Sequence, residues 1–195
     1  MLILQQALST GEHANIIRWH DSQSFADVAN KNFIRSSEST VISRGKYVSL
    51  SRNRGELTRS ENWDDELTPL LDVIIPLLDT STLVQHSDFS TMIAPWRYGV
   101  GSAMAEHQDY TSRAAVTFVY WCGTDWDEKW NGQLDLTVEK SLVGEAITAL
   151  EAISVAPLPN RLILFNSQNH HQVRNIEGPN GVTRRSITGM IVKKV

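Results

Sequence analysis

The pattern of apolar positions changes character about halfway along the chain. To about residue 82 the period is helical. Ala14, Ile16, Ile17 and Trp19 recur within residues 12–21, and Ser9 and Thr10 stand in front as caps. A stronger stripe follows the acidic turn Asp64-Asp65-Glu66: Leu67, Leu70, Leu71, Ile74, Ile75, Leu77 and Leu78 predict a helix over 62–78. Pro69 lies close enough to its start to be tolerated, whereas Pro76 is expected to kink or end it. Between the helices, residues 34–60 are rich in Ser and Arg and read as loops with short strands at 41–43 and 47–50.

The second half reads as strands: 92–98, 114–122, 132–137, 149–155, 161–166, 171–176 and 183–192. They are short, rich in β-branched and aromatic residues, and separated by turn chemistry such as Pro157-Leu158-Pro159-Asn160 and Gly178-Pro179-Asn180-Gly181. Short strands at this spacing with no helices between them predict a mainly β (α+β) fold, an antiparallel sandwich or barrel of the jelly-roll, cupin-like kind. The expectation is a single domain over 1–195, with helical support and loops in 1–90 and the jelly-roll core in 91–195.

Composition narrows the classes without naming one. The 195 residues are 41% hydrophobic and 21% charged, with 11 Gly and 6 Pro, values ordinary for a globular domain. No apolar run approaches the roughly 18–20 residues of a membrane span. Met1-Leu2-Ile3-Leu4-Gln5-Gln6 lacks the basic and apolar regions of a secretory signal. The single cysteine, Cys122, forms no internal disulfide and excludes a thiolate zinc cluster, so a cytoplasmic location is expected. A net charge of -4 argues against a protein that holds nucleic acid by bulk charge.

Candidate chemistry rests on the six histidines, at 13, 20, 86, 107, 170 and 171. Two begin an H-x-D triplet, His86-Ser87-Asp88 and His107-Gln108-Asp109. On a strand, residues i and i+2 share a face, so an imidazole and a carboxylate can share one ion. Composition alone gives roughly 0.3 such triplets by chance, and context separates the two. His86 and Asp88 stand in a Ser/Thr-rich turn with no further functional residue in register, and read as a solvated loop. His107 and Asp109 follow the turn Tyr98-Gly99-Val100-Gly101 and precede Thr117, Tyr120 and Asn131-Gly132. Further on come Pro159-Asn160-Arg161, His170-His171-Gln172-Val173 and Thr183-Arg184-Arg185-Ser186-Ile187-Thr188.

In this order the motifs resemble those of the Fe(II)/2-oxoglutarate-dependent oxygenase superfamily, specifically its prolyl-hydroxylase-like branch, over about residues 92–192. The resemblance implies a double-stranded β-helix, a jelly-roll variant. It maps the iron ligands onto His107, Asp109 and a distal histidine, and the arginine for the far carboxylate of 2-oxoglutarate onto Arg184. Tyr120 would share that carboxylate, Tyr98 would be a second pocket tyrosine, and Ser186 would stand beside the arginine as a hydroxyl partner. Strand alternation puts only one of His170 and His171 inside, and only one of Arg184 and Arg185; the family pattern selects His171 and Arg184. Asn131-Gly132 stands where the family usually has two glycines, a mild departure because Asn tolerates positive φ.

The residue chemistry is consistent with this mapping. Two imidazoles and a carboxylate form a facial triad that leaves positions open for a 2-oxo acid and dioxygen. A guanidinium suits the far carboxylate through its permanent charge and planar fork. The resemblance implies Fe(II), 2-oxoglutarate and O2 as co-reactants, with ascorbate stimulating. The reaction would be hydroxylation of an unactivated C–H bond of a small molecule, a free amino acid or biosynthetic intermediate. Alternatives are a protein or peptidyl hydroxylase and a non-catalytic cupin-like binding protein. A carboxylate at 109 fills the position that halogenases leave for chloride. Met190 stands where the nucleic-acid repair branch has a second arginine, so neither nucleic acid nor membrane is expected as a partner. Trp121, Trp126 and Trp130 with Tyr120 read as packing under a loop, and Cys122 as a small buried apolar residue. Arg52, Arg54 and Arg59 read as a solvated set that a carboxylate-bearing substrate could use.

Overall fold

The computed structural model describes residues 1–29, 31–37, 40–80, 88–109, 115–141 and 148–194. In chain order the elements begin with β1 (Leu2–Leu4), α1 (Thr10–Ser22), β2 (Ala26–Asp27), β3 (Phe33–Arg35) and β4 (Ile42–Arg44). Next come β5 (Val48–Asn53), β6 (Glu56–Arg59), α2 (Thr68–Thr80), β7 (Phe89–Gly99) and β8 (Ser102–His107). The remainder is β9 (Ala115–Trp121), β10 (Leu134–Ser141), β11 (Thr148–Val155), β12 (Arg161–Asn166), β13 (His171–Val173) and β14 (Thr183–Lys193).

Among the described residues these strands build two antiparallel sheets. The larger runs β1-β12-β9-β14-β7-β4-β2, with β5 also paired to β7 and carrying β6; the smaller runs β11-β10-β13-β8-β3. This is the jelly-roll architecture expected from the strand pattern. The first third of the chain does more than brace it, because β1, β4 and β5 extend the large sheet and β3 edges the small one. β1, β2 and β3 are two or three residues long, too short for an alternation to register.

α1 starts where its cap chemistry says. The Ser9 hydroxyl accepts from the Glu12 N–H at 3.4 Å, and the Glu12 carboxylate accepts from the Ser9 N–H at 2.9 Å, a capping box. A 3-10 turn, Asp65–Leu67, leads into α2. Pro76 does not end that helix, which continues to Thr80. Proline withdraws one N–H from the ladder, and the buried stripe Leu70, Leu71, Ile74 and Leu78 on both sides of it holds the turn in place.

β9 explains how one strand serves two layers. All seven of its residues are buried. Val116, Phe118 and Tyr120 face the helices and pack with Ile16, Leu70, Ile74, Ile187 and Ile191. Val119 and Trp121 face inward and pack with Leu134, Leu136, Phe165 and Val173 of the space between the sheets. β14 follows the same parity. Ile187 and Ile191 point to the helices, while Arg184, Ser186 and Thr188 point between the sheets into a cavity.

Candidate active site

The two sheets enclose a cavity of about 340 Å³, and the chemistry-bearing residues reach it from both sides. His107 ends β8 and His171 opens β13, and the two strands pair with these residues directly opposite each other. Opposed residues of an antiparallel pair project to one face with their Cβ atoms about 5 Å apart. Register therefore brings together two histidines far apart in the chain, with ring centroids 4.2 Å apart. Asp109 is anchored just beyond β8, where its N–H donates to the Ser167 carbonyl at 3.1 Å. Its Oδ1 lies 3.4 Å from His107 Nε2 and its Oδ2 lies 3.5 Å from His171 Nε2. The ligand atoms of the three residues all fall within 4.8 Å of one another.

Hydrogen bonds on the far side of each ring decide what the near side offers. His107 Nδ1 is 2.9 Å from the Ala105 carbonyl and His171 Nδ1 is 2.9 Å from the Asn169 carbonyl. A carbonyl only accepts, so each Nδ1 carries a proton and each ring turns its Nε2 toward Asp109, where it donates to the carboxylate when the ring is charged and offers a lone pair to a cation when the ring is neutral. The carboxylate is held in turn by the Thr117 hydroxyl, which donates to Oδ2 at 2.8 Å and meets the Ser167 hydroxyl at 2.9 Å. With both rings neutral, three acceptors converge on one point, an arrangement that a cation resolves. At these separations all three side chains can reach a single ion. Burial opposes charge on Asp109, but hydrogen bonds from His107, His171 and Thr117 hold its pKa far below the usual carboxylate range. Burial likewise opposes charge on His107, and Asp109 with the Ala105 carbonyl outweighs it to raise the pKa. The donor set fits one divalent ion of the imidazole- and carboxylate-binding kind.

Across the cavity, Arg184 is 3% exposed. Its guanidinium lies 5.4 Å from the Tyr98 ring centroid and 5.5 Å from that of Trp121. Among the described residues its buried Nε has no hydrogen-bond partner, and no carboxylate reaches it. Burial pushes its pKa down to about 10, with Tyr98 opposing, so the group stays charged at neutral pH. A buried, charged and unpaired fork is a receptor for an anion. Tyr98, its phenol pushed up by burial, and Ser186 line the same cavity. The neighbouring arginine plays a different part, because Arg185 lies on the helix side and donates to Asp21 at 2.9 and 3.0 Å. His170 likewise turns outward, 3.3 Å from Glu106.

Tyr120 is a correction to the sequence reading. It does not line the cavity, because its parity on β9 is that of Phe118 and not that of Thr117 and Val119. Its hydroxyl is instead 2.5 Å from His13 Nδ1 and 3.0 Å from the Asn160 carboxamide oxygen, tying α1 to the sheet. Tyr120→Phe is therefore expected to cost about 1–2 kcal/mol of stability in denaturant unfolding, because His13 Nδ1 loses its hydroxyl partner. Affinity for an anionic co-substrate should stay at the wild-type value; a tenfold loss would return Tyr120 to the pocket. Asn131 and Gly132 both hold positive φ, 56° and 71°, so asparagine serves where a second glycine was expected. His86 lies outside the described residues. Thr117 stood in the motif order without an assigned role, and Ser167 and Arg44 had none either, although Thr117 shares the parity of Val119, and Arg44 that of Ile42.

A jelly roll that presents two imidazoles, one carboxylate and a buried guanidinium to one cavity combines a single-ion metal site with an anion pocket. The chain belongs to the 2OG-Fe(II) oxygenase superfamily, whose family profile matches residues 93–192. Fe(II), 2-oxoglutarate and O2 are the co-reactants of that family. The chain is similar to the leucinostatins biosynthesis cluster protein S of Purpureocillium lilacinum, 27% identical over 124 residues. That match covers 60% of this chain and 49% of the relative, so the chain spans about half the length of the curated relative it matches. Its fold is similar to a Pseudomonas putida prolyl-4-hydroxylase, with TM-score 0.63 and 17% identity over 100% of this chain and 92% of that one. It is also similar to a Trichoplax adhaerens prolyl hydroxylase solved with a hypoxia inducible factor peptide fragment. There the TM-score is 0.64 and the identity 18%, over 98% of this chain and 83% of that one. Among the described residues no helix is long and apolar enough to cross a membrane.

Proposed function

We propose that this chain is an Fe(II)- and 2-oxoglutarate-dependent dioxygenase that hydroxylates an unactivated C–H bond of a small molecule, a free amino acid or a biosynthetic intermediate. The observation that carries the reading is the pairing of the His107–Asp109–His171 cluster with the unpartnered guanidinium of Arg184 in one cavity. In this reading the three clustered residues hold the metal, and Arg184, with Tyr98 and Ser186, holds the far carboxylate of 2-oxoglutarate. Bound there, the metal and co-substrate would supply oxidative chemistry in which one atom of O2 ends in succinate and the other in the product hydroxyl, with carbon dioxide released.

The chain's own residues position and protect that chemistry. The Nδ1–H bonds to the Ala105 and Asn169 carbonyls keep both imidazole rings from turning. Thr117 fixes the carboxylate of Asp109. Phe165, Met104, Val119 and Val173 give the cavity apolar walls that limit water. Its volume falls in the range of small-molecule sites, about 300–1,000 Å³. The name of the Purpureocillium relative, a leucinostatins biosynthesis cluster protein, is consistent with a biosynthetic role. A cytoplasmic location belongs to the proposal and draws on the single, free and buried thiol of Cys122.

The test is succinate formation from 2-oxoglutarate by the full chain reconstituted with Fe(II) and ascorbate, alone and with a panel of amino acids and small acids. Slow succinate release without a prime substrate, accelerated by at least one panel member, is the expected result. Acceleration by peptides alone would move the substrate to the peptidyl class. Tight metal binding with no 2-oxoglutarate consumption would overturn the enzyme reading in favour of a binding protein.

A further inference from the structure

The cavity holds a second arginine that the metal and co-substrate leave unused. Arg44 of β4 lines it together with Tyr47, Trp96 and Phe33. The sheet register separates this arginine from Arg184. Arg44 stands opposite Trp96, which stands opposite Ser186; Ile42, Tyr98 and Arg184 form the next row. Two strands of about 4.8 Å and two residues of about 3.3 Å put the Arg44 and Arg184 α-carbons about 12 Å apart on the same inner face. The two cations thus address different parts of one cavity.

Arg44 is held as a receptor is held. Its guanidinium lies 4.1 Å from the Tyr47 ring centroid and 5.5 Å from that of Trp96. It donates from Nη1 to the Tyr47 hydroxyl at 2.5 Å. Stacking on the rings fixes the plane of the fork and strips part of its hydration. Among the described residues its buried Nε has no hydrogen-bond partner and no carboxylate reaches it. A half-buried guanidinium clamped by aromatic rings, with most of its five N–H groups unspent and lining an open cavity, matches a planar anion. Tyr47 is 41% exposed, which places this end of the cavity at its mouth.

Building on the oxygenase reading, we infer that Arg44 is the receptor for a carboxylate on the prime substrate. The substrate class is therefore a small organic acid, such as an amino acid, whose acid group docks on Arg44 between Tyr47 and Trp96. The rest of the molecule extends past Trp96 and Phe33 toward the metal cluster. Specificity then divides along the cavity: Arg184 takes the co-substrate, and Arg44 selects what is oxidised.

The experiment compares free carboxylic acids with their methyl esters and carboxamides as accelerators of succinate formation by the iron-loaded full chain. The acids should accelerate, and masking the carboxylate should raise KM roughly 10- to 100-fold, the loss expected for one charge-assisted contact. Arg44→Met should raise the KM of the acid by a similar factor and erase the discrimination between acid and ester. Arg44→Lys, with the charge but not the planar fork, should recover only part of it. Equal acceleration by acid and ester in the wild type overturns the inference, even where the variants do not fold. Retained discrimination in Arg44→Met overturns it as well. If only neutral compounds accelerate, or none does while slow 2-oxoglutarate consumption persists, the inference falls and the oxygenase reading stands. Absence of any 2-oxoglutarate consumption removes both.

Discussion

Replacing Arg184 with methionine is expected to weaken 2-oxoglutarate binding by about 100-fold or more while leaving the ligand-free protein at least as stable as the wild type. The two effects share one cause. In the structure Arg184 is 3% exposed, with a buried Nε that finds no acceptor among the described residues. The fold bears the desolvation of a cation without a counter-charge, and burial alone drags the pKa down to about 10. A methionine of similar length removes that penalty, so unfolding in denaturant should show a gain of roughly 1–3 kcal/mol. The same change removes the charge and the fork that a carboxylate needs, so the 2-oxoglutarate dissociation constant, measured anaerobically with Mn(II), should rise. Arg184→Lys should not restore it, because a point charge cannot present two parallel donors. Arg185→Met serves as the contrast: it breaks the pair with Asp21 on the helix side and should leave co-substrate affinity untouched. Affinity retained in Arg184→Met would remove this residue from the co-substrate pocket.

How much of this was legible in the sequence depends on how local the cause is. α1 and its Ser9 cap could be read directly because a capping box is written within four residues. The strands 161–166 and 183–192 were legible because turn residues bound them and β-branched residues fill them. The edge strands β1 to β3 were not, since two or three residues carry no period. Tyr120 shows a different limit. Every residue of β9 is buried, so hydrophobicity could not say which face is the cavity side. A family spacing then placed the phenol among the site residues, although its parity is that of the helix-facing Phe118. For the pairs Arg184–Arg185 and His170–His171, parity said only that one member of each faces inward, and the family pattern chose Arg184 and His171. Arg44 carried no motif at all. Its position follows from pairing with Trp96, a long-range register that the sequence does not spell out.

The last expectation concerns the cluster itself. Asp109→Ala and His171→Ala should each weaken Mn(II) binding by more than about 100-fold in calorimetry and abolish 2-oxoglutarate consumption. The lower bound comes from the next layer outward, where losing a partner that merely orients a ligand costs about 10- to 100-fold. Thr117→Val offers that comparison within this chain: it deletes the 2.8 Å hydroxyl bond to Asp109 and keeps the side-chain shape. Its effect should therefore fall between wild type and Asp109→Ala. His170→Ala adjoins the cluster in sequence but points away from it, toward Glu106, and should bind Mn(II) as the wild type does. The ordering matters more than any single value. Proximity in the chain predicts that His170 and His171 behave alike, whereas register across β13 and β8 predicts that only His171 matters. Equal losses at 170 and 171, or wild-type binding in His171→Ala, would show that the metal is held elsewhere than between the opposed histidines.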